Sequence, residues 1–179
     1  MKILILAASV LVGCILFADA GLAEDWPQWL GPNRDSVWRE KGIVKEFPEQ
    51  GLPVRWRVAV GGGYSGPAVA DGRVFVLDYV RSAGKALDST DVRSQLEGTE
   101  RVLCLNVEDG SLLWKHEYEC PYHIAYPSGP RATPTVDGRR VYSLGAEGDL
   151  FCLDVADGRV VWSKQLCKEY QTESPLWGF

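Results

Sequence analysis

Two histidines and five cysteines are the residues of this 179-residue chain best suited to metal or nucleophilic chemistry. His116, Cys120 and His123 form a His-x-x-x-Cys-x-x-His pattern. A transition metal needs three or four convergent ligands. Here Pro121 and a loop follow the strand that carries His116, so the pattern reads as polar histidines beside a strand end, and no metal site is assigned. Cys104 lies between leucines and Cys152 between Phe151 and Leu153, as buried free thiols do. Cys120 and Cys167 stand 16 and 15 residues after these two, each just past a predicted strand, and form a candidate disulfide. The acidic residues are turn aspartates or scattered glutamates. They offer no general acid–base pair, and there is no Ser/His/Asp constellation. No catalytic residue is assigned. Gly61-Gly62-Gly63-Tyr64-Ser65-Gly66 is glycine-rich but joins two β segments, whereas a phosphate loop opens a helix. It reads as a flexible connection.

Composition narrows the class of protein that could position these groups. At 46% hydrophobic and 11% aromatic residues the chain is not disordered. Five cysteines are too few for a disulfide-packed miniprotein. A net charge of −5, from 19 basic and 24 acidic residues, leaves no electrostatic footprint for nucleic acid. Residues 1–23 read as a secretory signal peptide. Met1-Lys2 is a minimal basic start, Ile3 to Phe17 is apolar apart from Ser9, and small residues place the cut after Ala20 or Ala23. The apolar run is shorter than the ~20 residues that span a bilayer, and no later run approaches that length, so no transmembrane domain is expected in the mature chain. A second reading takes Leu11-Val12-Gly13-Cys14 as a lipobox, which makes Cys14 a lipidation site and the protein an outer-membrane anchored one. Either way the chain is expected in the periplasm or outside the cell.

The exported part repeats itself. Val102-Leu103-Cys104-Leu105-Asn106-Val107-Glu108-Asp109-Gly110 continues to Trp114, and Leu150-Phe151-Cys152-Leu153-Asp154-Val155-Ala156-Asp157-Gly158 continues to Trp162, at a constant offset of 48. A period in the forties indicates propeller blades or helical arrays. Short β-branched and aromatic runs ending in Asp-Gly decide for antiparallel strands. A second repeated element, Pro67 to Leu77 against Pro134 to Leu144, has an offset of 67 and its Asp-Gly displaced by one residue. The difference of 19 is expected as a long surface loop over about Val80 to Thr99. Each repeat then has four strands: Gly66–Ala70, Arg73–Asp78, Glu100–Val107 and Ser111–Tyr118 in the first copy, and Ala132–Val136, Arg140–Leu144, Asp149–Val155 and Arg159–Gln165 in the second. Val54–Val60, with Trp56, is expected to be the last strand of a preceding partial blade. The layout is a signal peptide (1–23), an N-terminal extension (24–53) and a partial propeller (54–179) with blades at 66–118 and 132–165.

The run from Leu105-Asn106 through Gly110 to Trp114, and from Leu153-Asp154 through Gly158 to Trp162, resembles the tryptophan-docking repeat of pyrroloquinoline-quinone (PQQ)-type β-propellers. Asp25-Trp26-Pro27-Gln28-Trp29 followed by Gly31-Pro32-Asn33-Arg34-Asp35 resembles the mature N-terminus of secreted bacterial BamB-like propellers. The resemblance implies an all-β propeller of four-stranded antiparallel blades in which Asn106, Gly110, Trp114, Asp154, Gly158 and Trp162 are structural repeat positions. Asn106 stands where the repeat often has Asp, and is expected to alter a turn hydrogen bond. The resemblance implies a non-catalytic binding or assembly scaffold that meets a protein or small-molecule partner at its loops. The alternative is the N-terminal part of a PQQ-dependent quinoprotein dehydrogenase, whose quinone and calcium would sit in other blades. No cofactor is identifiable from these residues, and the adjacent Cys-Cys pair of such dehydrogenases is absent. Two blades and one strand fall short of the 4–8 blades of a ring. The chain is therefore expected to be part of a longer propeller, or to close a ring with further copies.

Overall fold

A computed structural model describes residues 24–179. The signal peptide and Cys14 lie outside the described residues. Nine strands and one short helix follow in chain order: β1 (Ala68–Ala70), β2 (Arg73–Gly84), β3 (Ser94–Asn106), β4 (Leu112–Glu119), β5 (Tyr122–Ile124), β6 (Thr135–Asp137), β7 (Arg140–Leu144), β8 (Asp149–Asp154), β9 (Val160–Gln165) and α1 (Leu166–Glu169). They form two antiparallel sheets, β1-β2-β3-β4 with β5 added to β3, and β6-β7-β8-β9. These are two adjacent blades of a β-propeller, and the described residues do not close a ring.

Turn chemistry explains the displaced Asp-Gly. Ala70 pairs with Arg73, so Asp71-Gly72 forms the whole turn, and both residues have positive φ (48° and 72°). A two-residue turn of this hand needs that conformation twice, and Asp-Gly supplies it. In the second blade Asp137 pairs with Arg140, so the turn residues are Gly138 and Arg139, and only Gly138 has positive φ. The strands keep one register while the turn changes type, which moves the dipeptide by one place.

Three expectations need correction. The stretch Val80 to Thr99 is largely strand. β2 and β3 continue their pairing from Val80 opposite Thr99 to Gly84 opposite Leu96, with a bulge between Arg81 and Ala83, and the loop is reduced to residues 85–93. Polar composition disguised a period of two in which Ser94 and Leu96 are buried while Gln95 and Glu97 are exposed. The extra length carries β5, whose Tyr122, His123 and Ile124 pair with Leu96, Gln95 and Ser94. The first sheet thus has five strands where four were expected. Val54–Val60 forms no strand, because none of the described residues pairs with it; Gly62 alone makes an isolated bridge to Tyr79.

The main core lies between the blades. Ala68, Phe75, Leu77, Val102, Cys104 and Trp114 of the first blade pack with Val141, Leu153 and Val155 of the second. A smaller cluster of Tyr79, Leu96, Cys120, Tyr122, Ile124 and Ala146 closes one end, where Tyr79 and Tyr122 stack with ring centres 3.9 Å apart. The N-terminal segment seals the edge formed by the first strand of each blade. Trp26 exchanges backbone hydrogen bonds of 2.9 Å with Val69 of β1, and the Val136 N–H of β6 donates to Pro27 O at 2.8 Å.

Candidate functional site

The repeat residues build a docking joint twice over. Asn106 and Asp154 end β3 and β8. Their side-chain oxygens accept from the N–H two residues on, Glu108 at 2.8 Å and Ala156 at 3.0 Å. Gly110 and Gly158 then donate backbone N–H to the carbonyls of Asn106 and Asp154, both at 2.9 Å. Each glycine has a φ of 73°. The turn holds its backbone flat against an indole of the preceding element. A Cβ on Gly110 would come within 2.7 Å of Trp56 Cε3, and one on Gly158 within 2.5 Å of Trp114 Cε3. The indole N–H of Trp56 donates to Val107 O at 2.8 Å, and that of Trp114 to Val155 O at 2.9 Å. Trp56 thus docks on the first blade as Trp114 docks on the second. Trp162 holds the third equivalent position, but no described turn receives it, and it is 41% exposed against 9% for Trp114.

The Asn-for-Asp difference acts through charge. The expected change in the turn does not occur, since Asn106 makes the same bond as Asp154. Asp154 additionally accepts from Arg140 at 2.8 Å and lies 3.9 Å from Arg139; the turn bond from the Ala156 N–H first, and then these arginines, hold its carboxyl below the usual range. Arg73 pairs with Asn106 in the register that pairs Arg140 with Asp154. Its Nε is buried without a partner. A neutral amide in place of the carboxylate removes the anion that the arginine would meet.

Glu100 was not identified from the sequence. It is 2% exposed and accepts from the hydroxyls of Tyr118 and Tyr122, and from the Ala146 N–H of the second blade at 2.9 Å. Burial raises its pKa in spite of these three donors. Gly145 is required beside it, because a Cβ there would come 2.1 Å from Glu100 Oε2. The signal available in the sequence was slight: Glu100 lies in the polar run Glu97-Gly98-Thr99-Glu100-Arg101, just ahead of the apolar Val102–Leu105, with two tyrosines beyond the next turn. Asp78, 1% exposed, is bound by Arg101 and by the Gly61 N–H. Each of these buried carboxylates holds chain segments together.

The residues of the His/Cys pattern separate. His116 packs edge-on against Phe151 at 4.6 Å, its Nε2 is buried without a partner, and burial lowers its pKa. Cys120 and His123 line a different place, a cleft of about 470 Å³ shared with Cys167, Asp149, Glu147 and Lys168. Among the described residues no three His, Cys, Asp or Glu side chains converge as metal ligands would. Cys104, Cys120, Cys152 and Cys167 are free thiols. The candidate Cys120–Cys167 bridge is therefore not formed here, although both residues reach one cleft. Cys120 instead donates its S–H toward Asp149 Oδ2 at 3.8 Å. Burial first, and then the nearby acidic groups, push the thiols of Cys120 and Cys167 up. No helix among the described residues is long and apolar enough to cross a membrane.

Part of the chain is similar to known proteins. Residues 98–176 match the family described as Outer membrane protein assembly factor BamB. The matched stretch contains both joints from Asn106 to Trp162. A comparison with curated proteins gave no match. Among solved structures, the crystal structure of BamB from Moraxella catarrhalis aligns with 63% of this chain and 35% of that chain, at 16% identity and a TM-score of 0.31. The alignment thus spans about a third of that protein's length. The expected resemblance to PQQ-like, BamB-like propeller repeats holds.

Proposed function

We propose that this chain, whose residues 98–176 carry BamB-like repeats, is an exported binding or assembly scaffold. One observation carries the reading. The carboxylates that the fold buries, Glu100, Asp78 and Asp154, are all committed to hydrogen bonds or ion pairs that join its own segments. The inner edges of both blades are likewise taken by Trp26 and Pro27. What remains for a partner is loops and the outer face. That face carries Val160, Val161 and Trp162, all about 40% exposed. Further blade surface, from more chain or from another copy, covers it and receives the Trp162 indole. Residues 1–23 direct export, with Cys14 as the site of a lipid anchor if the lipobox is used. The partner is protein or small molecule, met at the loops.

The experiment is a titration of the purified protein, in its natural full length, with PQQ and calcium, followed by quinone absorbance and alcohol-dependent dye reduction. A scaffold gives neither saturable quinone binding nor turnover. Binding with turnover would overturn the reading in favour of a quinoprotein dehydrogenase. Mass spectrometry of the exported protein reports the processed N-terminus. A start at Gly21 or Glu24 fits signal cleavage, and an acylated Cys14 fits the anchor.

A further inference from the structure

A second surface feature is built from residues of this one chain. Five residues from four parts of the chain line an open pocket of about 340 Å³: Tyr64 ahead of β1, Thr90 in the β2–β3 loop, Tyr126 and Arg131 between β5 and β6, and Trp177 beyond α1. Ligand sites run from ~300 to 1,000 Å³, so this one has room for a single ring and a small substituent. Its walls are aromatic and rigid. The Trp177 indole N–H donates to Thr90 O at 2.8 Å, and the Ala125 N–H donates to Leu176 O at 2.7 Å, which fixes the Trp177 segment against the β5–β6 connection. The Tyr64 hydroxyl pairs with Ser128 Oγ at 3.0 Å. Tyr64 and Tyr126 stack at 5.4 Å with planes 12° apart. Tyr126 adopts a φ of 52°, a left-handed conformation that costs a non-glycine residue ~1–2 kcal/mol. Strain of this kind gathers at ligand clamps. The three aromatic side chains nonetheless remain 44 to 54% exposed.

Arg131 decides the charge of the occupant. Its Cζ lies 4.9 Å from the Tyr64 ring centre. Its guanidinium donates to the carbonyls of Gly129, Tyr126 and Ala125, all neutral. No carboxylate among the described residues lies within 4 Å of it. Nε and the second Nη1 proton have no acceptor among the described residues. Three aromatic walls would suit a quaternary ammonium, but the fixed guanidinium repels one. The lining is otherwise apolar and lacks the polar groups that a sugar's hydroxyls would need.

We propose that this pocket binds an aromatic residue of a peptide whose carboxylate lies within reach of Arg131. The ring enters between Tyr126 and Trp177, and the carboxylate takes the free donors of the arginine in a charge-assisted pair. The scaffold reading above is thereby given a partner chemistry, but the pocket belongs to one chain and is tested without any assembly.

The test uses the whole protein and three small probes. The indole N–H resonance of Trp177 is assigned with Trp177→Phe and followed by NMR. N-acetylphenylalanine, its neutral amide and phenyltrimethylammonium are titrated in turn. The acid is expected to shift this resonance and to bind about threefold more tightly than the amide at low salt. Salt should close the gap. Arg131→Gln should abolish the difference while leaving the amide's binding intact, which also shows that the pocket still folds. Equal binding of acid and amide, preference for the ammonium, or no shift with any probe would overturn the proposal. A quinoprotein result in the earlier titration would leave this outcome unaffected, so the two readings fail separately.

Discussion

Trp114 and Trp162 occupy the same position in the same motif on neighbouring outer strands, yet one is 9% exposed and the other 41%. Their own blades do not distinguish them. Each is flanked by a bulge in the pairing of the last two strands, at Cys104/Leu105 and at Cys152/Leu153. The difference lies in the neighbour. Trp114 meets the Gly158 turn and bonds to Val155 O, whereas Trp162 has Tyr142 of its own sheet at 6.0 Å and no described receiving turn. The stability of a docking tryptophan is thus a property of the joint between blades. A tryptophan ring can bury ~150–250 Å², and roughly a third of the burial that Trp114 reaches is missing at Trp162, which has no next blade among the described residues.

The comparison can be broken by substitution. Trp114→Ala should destabilise by about 3–5 kcal/mol through lost burial and the cavity left in the interblade core. Trp162→Ala should cost about 1 kcal/mol or less where its outer face is free. Urea unfolding of both variants checks the pair, and equal costs would mean that the Trp162 face is covered in solution. Next in size is the partner of the ring. Gly158→Ala combines the left-handed backbone with a Cβ 2.5 Å from Trp114, and should cost about 3 kcal/mol. Gly138→Ala meets nothing within 4 Å and should cost about 1 kcal/mol for its φ of 52°. Thermal melts of the two separate steric fit from backbone conformation.

Glu100 sharpens the comparison by reporting the joint from its other end. Its folded pKa is raised above the ordinary 4.5 because burial outweighs its three donors. The native state therefore holds the proton more tightly than the unfolded chain. The stability tied to this site is fully present below pH 4.5 and is lost as pH rises through the folded value. Glu100→Gln should flatten this dependence in pH-resolved unfolding curves, and should cost about 1–3 kcal/mol for the donor left facing an amide. The smallest effect is a gain. Asn106→Asp gives Arg73 the carboxylate that Arg140 has in the second blade, and should add about 0.5 kcal/mol. The gain should be larger at low ionic strength, and calorimetry at two salt concentrations checks it.

The blades were legible because the joint demands particular residues at particular places. Only a glycine tolerates an indole against its backbone, and only a bulky ring reaches it, so Gly110, Trp114, Gly158 and Trp162 announce themselves at a spacing of 48. Trp56 was legible as a member of the series, although its strand is not formed without partners. The β2–β3 extension was missed because its buried residues, Ser94 and Leu96, alternate with polar ones in a stretch whose average is hydrophilic. β5 is three residues long and α1 four, too short to show a period. The aromatic pocket and the Glu100 network escaped for a different reason. Tyr64, Tyr126, Arg131 and Trp177 are scattered over more than a hundred positions, and only the closing of the blades brings them together.

The Trp26–Pro27 segment has a consequence for the order of folding. Every blade strand pairs with one close by in the chain, so the hairpins can form early and locally. Trp26 instead reaches Val69, and Pro27 reaches Val136, over a hundred residues away. Closing so long a loop gives no return until both inner strands stand side by side, which places this contact late on the pathway. Interactions absent from the transition state govern how fast a protein comes apart rather than how fast it forms. A segment made before either blade is therefore the last to be fastened, and it works as a latch on the rate of unfolding.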